Sequence, residues 1–274
     1  MKKTKLIIAL PIFALAACSG AGQRIDASTA YARATEIDNS SALYYVRNVK
    51  GSMTESMSNS SASMSYSLEV SLNQMGDVYY KRAQKRSSIG ISYTVSEECY
   101  YVHNVGGYRT VTWFKRTEGT QTLIRAYIND NYDETFSDYA NYSLLDDPLE
   151  YVEDYYVPAR VAMTEYAEGF GNVNCSYYSK GSGNLTVKMS LASKGSGFGI
   201  GNSNNNNYNE YGEDYDYTYK SFNATMSYNN YLMTEISGEG VSYSNIKRKS
   251  VLKASYPQSL NISLPNGWQK YLYY

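Results

Sequence analysis

The stretch Met64-Ser-Tyr-Ser-Leu-Glu-Val-Ser-Leu72 carries Met64, Tyr66, Leu68, Val70 and Leu72 at its even positions and only Ser or Glu between them. Successive side chains of a strand point to opposite faces, so this period of two predicts a strand with one apolar and one hydroxylic face. The same alternation returns at Leu185, Val187, Met189 and Leu191, at Phe222, Ala224, Met226 and Tyr228, and at Leu260, Ile262 and Leu264. Parallel strands covered on both sides would read as continuous apolar runs, so the sheet is expected to be antiparallel and covered on one side. Further strands are expected near 44–58, 77–86, 89–104, 109–116, 121–128, 231–236 and 241–248. Turn residues punctuate them at Gly76-Asp77, Gly106-Gly107, Glu118-Gly119 and Ser237-Gly238.

Working outward from the strands, Asp26 suits the N-cap of a short helix whose Ala27, Ala30, Ala34 and Ile37 share a face before Asp38-Asn39-Ser40-Ser41 ends it. In Asp147-Pro148-Leu149-Glu150 an acidic cap, a first-position proline and a following Glu predict a second helix, with Leu149, Val152 and Tyr156 at helical spacing. Pro158 stops it and opens another through Arg160, Val161 and Met163 towards Gly169. Residues 195–216 are Gly-rich, then Asn-rich, then acidic, a disordered hairpin loop within one domain. The fold class is therefore α+β and mostly antiparallel β, with a short N-terminal helix and a mid-chain helical insert.

Lys2, Lys3 and Lys5 precede an apolar run from Leu6 to Ala17 that is too short to span a bilayer, which takes roughly 20 residues. Leu15-Ala16-Ala17-Cys18 at its end resembles the lipobox of bacterial lipoproteins. That resemblance implies removal of residues 1–17, acylation of Cys18, export, and anchorage on the extracytoplasmic face of a bacterial membrane, the outer one where the host has two. Two acyl chains at about 0.8 kcal/mol per buried methylene hold such a protein to a bilayer where one would not. Residues 18–24 then form a small polar tether and residues 25–274 one β-rich domain.

The whole chain has 274 residues, with 25 Lys+Arg against 26 Asp+Glu. Without Lys2, Lys3 and Lys5 the basic residues fall to 22 against 26 acids, a balance that supplies no basic surface for nucleic acid. Two basic clusters, Lys81, Arg82, Lys85 and Arg86, and Lys247, Arg248 and Lys249, read as solvated strand ends or as contacts to anionic headgroups or wall polymer. The 32 tyrosines are the most unusual feature. Doublets such as Tyr79-Tyr80 and Tyr100-Tyr101 put one ring on each face of a strand, either as cross-strand aromatic pairs or as a surface that meets sugars or protein.

Chemistry-bearing patterns are sparse. Gly195, Gly197, Gly199 and Gly201 lack the spacing of a nucleotide loop, and no cofactor is expected. The acidic runs Asp130, Asp133, Glu134 and Asp138, and Glu210, Glu213, Asp214 and Asp216, lack a calcium-loop frame, so no metal site is expected. His103 is the single imidazole, in a Tyr-Tyr-Val-His-Asn-Val strand without a nucleophile motif, and reads as a strand histidine bonded to a neighbour. Catalysis is therefore not expected. Cys99 and Cys175 can be read as a disulfide closing a long loop or as two buried thiols.

The order of helix, one-sided strands, helical insert and further strands up to Trp268, with Met226–Ile236 among the late strands, resembles the LolA-like half-barrel lipoproteins and carriers, LppX-type lipoproteins included. The resemblance implies a curved sheet, a half-barrel, wrapped around helices or a lipid-sized cavity. Two functions follow. In one, Leu68, Val70, Val187, Met189 and Met226 line the concave face and hold a lipid or other apolar ligand. In the other these residues are plain core, and a Tyr-rich exterior contacts a surface protein or glycan.

Overall fold

The computed structural model describes residues 22–128, 156–164, 173–191, 198–199 and 218–272. The Leu15–Cys18 tetrad, the acidic runs and the helix expected from Asp147 lie outside them. Among the described residues, thirteen strands form a single sheet in which every pairing between named strands is antiparallel. Six of them, β2 (Val49–Ser58), β3 (Ala62–Leu72), β4 (Val78–Ser88), β5 (Ile91–Val105), β6 (Tyr108–Glu118) and β7 (Gln121–Ile128), run as a meander. A second series comprises β8 (Val173–Ser179), β9 (Leu185–Leu191), the two-residue β10 (Phe198–Gly199), β11 (Thr218–Asn229), β12 (Leu232–Ser242) and β13 (Lys247–Ser255). β13 pairs with β2 and joins the two series; β1 (Gln23–Ile25) pairs with β8 at the far edge. The sheet is open, with β1 and β7 at the ends of its path, which is the curved antiparallel architecture expected from the alternation and the resemblance.

Helix α1 (Ala27–Asp38) carries the chain from the β1 edge across the inner face. Asp26 caps it, accepting from the Thr29 backbone N–H at 2.8 Å, and hydrogen bonds from Ser28 and Thr29 hold its carboxyl down at about 2. Ala30, Ala34 and Ile37 form the buried stripe, as their spacing predicts. At the other end Asp38 accepts the backbone N–H groups of Ala159 at 2.7 Å and Arg160 at 2.9 Å, capping the helical turn that follows Pro158. Glu36 accepts from Ser182 and, at 3.3 Å, from Tyr231, tying α1 to the β8–β9 and β11–β12 turns.

Several boundaries differ from the sequence reading. The segment read as a tether up to residue 24 already holds Gln23 and Arg24 of β1. Ser237-Gly238 is the interior of β12 rather than a turn, and β13 starts at Lys247 where a strand was expected to end. Glycine is required there for packing: a Cβ on Gly240 would stand 2.6 Å from the Tyr219 ring. Leu260–Leu264 is not a strand. Pro257 and Pro265 bracket it, and its neighbourhood is held by side chains, Asn48 Nδ2 donating to Pro257 and Gln258 oxygens and Asn73 Nδ2 to that of Leu260. This C-terminal segment also makes the sheet two-sided at one edge, because Trp268, with Leu264 and Leu272, covers Val111, Trp113 and Ala126 on the outer face. Part of the loop expected over 195–216 is strand β10, paired with Thr218 and Tyr219.

Replacing Gly240 with Ala should lower stability by about 1–3 kcal/mol, because the ring of Tyr219 has to leave its seat; a urea titration measures it.

Candidate functional site

The inner face is best followed along one cross-strand row. From the β1 edge it runs Ile25, Tyr177, Val187, Met226, Ile236, Leu252, Met53 and Leu68, apolar across eight strands of the sheet order. On β4, β5, β6 and β7 the same row continues as Arg82, Glu97, Arg116 and Leu123. The structure thus brings the five residues expected to line a ligand site onto one face, from segments more than a hundred residues apart. Leu68, Val187 and Met226 stand in this row, and Val70 and Met189 in the rows beside it.

Their surroundings differ. Val187, Met189 and Met226 are buried beneath α1, against Ala30, Ala34, Ile37 and Met163. Leu68 and Val70 belong to a second cluster with Val46, Val49, Leu72, Val78, Tyr80, Cys99 and Phe114. Between the two clusters lie Ile236, Leu252 and Met53, which are only half-buried. Methionines are frequent here, Met53, Met163, Met189, Met226 and Met233, and unbranched thioethers adapt to irregular apolar shapes. Tyrosines complete the face by burying their rings and satisfying backbone carbonyls, Tyr228 donating to Val157 O at 2.7 Å and Tyr256 to Met233 O at 2.8 Å.

The polar end of the row is an internally matched network. The Glu97 carboxylate is buried between Arg82 Nε and Arg116, whose second nitrogen reaches Glu118 at 3.1 Å; Glu118 also accepts from Tyr93. Two cations thus face two carboxylates. Because both guanidiniums remain partly exposed, the network tolerates water and contributes chiefly by keeping Glu97 paired.

His103 has a clear partner. Asp77, buried in the β3–β4 turn, accepts from the His103 backbone N–H at 2.8 Å, faces its Nδ1 at 3.1 Å and accepts from Asn73 Nδ2 at 2.9 Å. Asn73 Oδ1 in turn accepts from the backbone N–H groups of Met75 and Asp77. The Asn73–Asp77–His103 cluster therefore clamps the turn to β5 and, through Leu260, to the C-terminal segment. Nothing in the strand sequence marks this, since Asp77 and His103 are joined only by tertiary pairing.

The disulfide reading is corrected. Cys99 and Cys175 are both thiols, and seven strands separate β5 from β8 in the sheet order. Burial pushes the Cys99 thiol up to about 12, which makes it inert at neutral pH. The tyrosine doublets divide between faces as expected: Tyr80 and Tyr101 point inward, whereas Tyr79 and Tyr100 stack on the outer face 4.7 Å apart, with Trp113 edge-on to Tyr100 at 5.7 Å. Burial, reinforced by Glu98, raises both outer tyrosines to about 12.

No protein-family model matches the chain, and no curated protein matches it. Among solved structures it is similar to LprF from Mycobacterium bovis, at 12% identity over 90% of this chain and 100% of that one, with a TM-score of 0.32. It is similar also to a DUF1329 family protein from Desulfovibrio piger ATCC 29098, at 9% identity over 86% and 95% of the two chains, TM-score 0.22. A third is a beta-barrel-like protein of the domain of unknown function DUF1849 from Brucella abortus, at 5% identity over 78% and 99%, TM-score 0.25. The functional reading rests on the chain's own geometry.

Two outcomes follow from this geometry. Asp77→Ala should cost about 2–4 kcal/mol in a urea titration by orphaning the His103 N–H and the Asn73 amide. Under native conditions at pH 8, iodoacetamide should leave Cys99 unmodified in a peptide map and label it only after denaturation.

Proposed function

We propose that the protein is a membrane-anchored extracytoplasmic lipoprotein that binds a lipid or another apolar ligand on the inner face of its sheet. The observation that supports this best is the half-buried stretch of the row, Ile236, Leu252 and Met53, lying between two closed apolar clusters. Apolar side chains at the centre of a curved face, flanked by adaptable methionines, are suited to an acyl chain. Val187, Met189 and Met226 support that floor from beneath α1, so they shape the site instead of lining it directly. The lipobox tetrad ending at Cys18 supports the anchoring half of the reading. In this reading the protein needs no catalytic group, and Asp77 and His103 serve the scaffold.

The competing reading, a structural or adhesive lipoprotein, draws on the exposed rings of Tyr44 and Tyr45. Native mass spectrometry separates the two. A form beginning at Ser19 keeps every described element and is purified without detergent. In the binding reading it carries a stoichiometric apolar passenger that lipid extraction recovers. Leu252→Trp should remove the passenger while the melting transition stays cooperative. A clean apo mass together with an unchanged melt on adding phospholipid would overturn ligand binding. Globomycin-sensitive palmitate labelling that is lost in Cys18→Ser tests the anchor separately.

A further inference from the structure

The β-hairpins place four turns at one end of the sheet: residues 59–61, Ile89-Gly90, Gly119-Thr120 and residues 243–246. One of these has an unusual composition. Ser88 pairs with Ile91, so β4 and β5 are joined by two residues only, and both have positive φ, Ile89 at +43° and Gly90 at +79°. Such a turn favours Asn-Gly or Asp-Gly, and a β-branched residue in the left-handed region is strained. Yet Ile89 is 88% exposed and Ile91 74%, so neither is held there by packing in the monomer. Strain kept at an exposed apolar tip points to a contact made with something else.

The charge around the tip identifies that contact. The two basic clusters, more than 150 residues apart in sequence, meet here in register. Arg248, Met57, Met64 and Arg86 form one cross-strand row, and Lys249, Ser56, Ser65 and Lys85 the next, on the opposite face. Of the nearby acids, Glu118 is engaged by Arg116 and Tyr93, Glu239 stands across from Lys249, and Glu55 lies on the inner face. Between Lys85 and Lys249 a groove of about 240 Å³ opens, bordered by Thr54, Ser56, Ser65, Ser67 and Ala83, with Glu55 and Tyr66 also in its mostly apolar lining. Two ammonium groups at the rim of the groove suit a phosphate headgroup, and two isoleucines ahead of them suit the acyl boundary below it.

We propose that this end of the sheet docks on an anionic phospholipid bilayer, Ile89 and Ile91 entering the interface and Lys85 and Lys249 seating a headgroup phosphate. The inference is independent of the inner-face ligand, and its test leaves that ligand untouched. The form beginning at Ser19, which has no acyl group, is floated with phosphatidylcholine vesicles and with vesicles containing phosphatidylglycerol. Flotation should be at least about tenfold stronger with phosphatidylglycerol and should collapse at about 1 M salt, where the Debye length is near 3 Å. Replacing Lys85 and Lys249 with Ser should weaken it about thirtyfold. Ile89→Asn should weaken it while the melting temperature holds or rises, because Asn accepts the left-handed turn, and this outcome separates loss of contact from loss of fold. Absence of flotation, flotation unchanged in these variants, or preference for neutral vesicles would overturn the proposal. Binding to a protein from the same membrane extract without binding to pure vesicles would also overturn it, in favour of a protein partner.

Discussion

The pairing of β13 with β2 is the constraint on which the rest of the molecule depends. Nine residues of each strand, Lys247 to Ser255 against Ser58 to Lys50, join segments almost two hundred residues apart. Without it the chain would be two separate antiparallel series, each with an extra open edge. With it, the apolar residues of both series fall into common rows and the inner face becomes continuous. Contacts of such long sequence separation are entropically costly to form, so assembly of this seam is expected to be a slow step in folding.

The outer face shows how the register of so large a sheet is kept. Glu235, Lys253, Ser52, Glu69, Lys81, Glu98 and Lys115 succeed one another across seven adjacent strands, with unlike charges opposed at four of the six steps. A slip by one residue would break this ladder and turn the apolar rows outward at the same time. The two penalties act together, and each uses a different face of the same strand.

Much of this was legible in the sequence because period-two alternation is a local signal. Met64 to Leu72, Leu185 to Leu191 and Gln121 to Ile128 could be read directly, as could the Asp26 cap and the alanine stripe of α1. What escaped depended on distant partners. Ser237-Gly238 reads as a turn because the sequence does not show that β12 runs on through it to Gly240, where the ring of Tyr219 fills the space that a side chain would need. Leu260 to Leu264 alternates like a strand, but Asn48 and Asn73 take up carbonyl groups in and beside it. The five residues expected to line a ligand share one face, yet their division into those under α1 and those beside the half-buried centre required the path of the helix. Asp77 and His103, likewise, are neighbours only because β3, β4 and β5 are.

The position of β1 has a geometric consequence. Gln23 pairs with Ser179, at the end of the sheet opposite the Ile89 hairpin. A 15-residue strand such as β5 is roughly 50 Å long, and the few residues from Cys18 to Gln23 reach at most about 18 Å. In the proposed anchored form, that leash is much shorter than the body it holds. In that form, a molecule standing upright would present the hairpin to whatever lies some 50 Å or more above the bilayer, as a strut between two surfaces. For tip and leash to share one bilayer, the strands must lie along its plane, and the molecule then occupies a far larger footprint. Posture, and with it the choice between spanning a gap and covering an area, is set by where a three-residue strand enters the sheet.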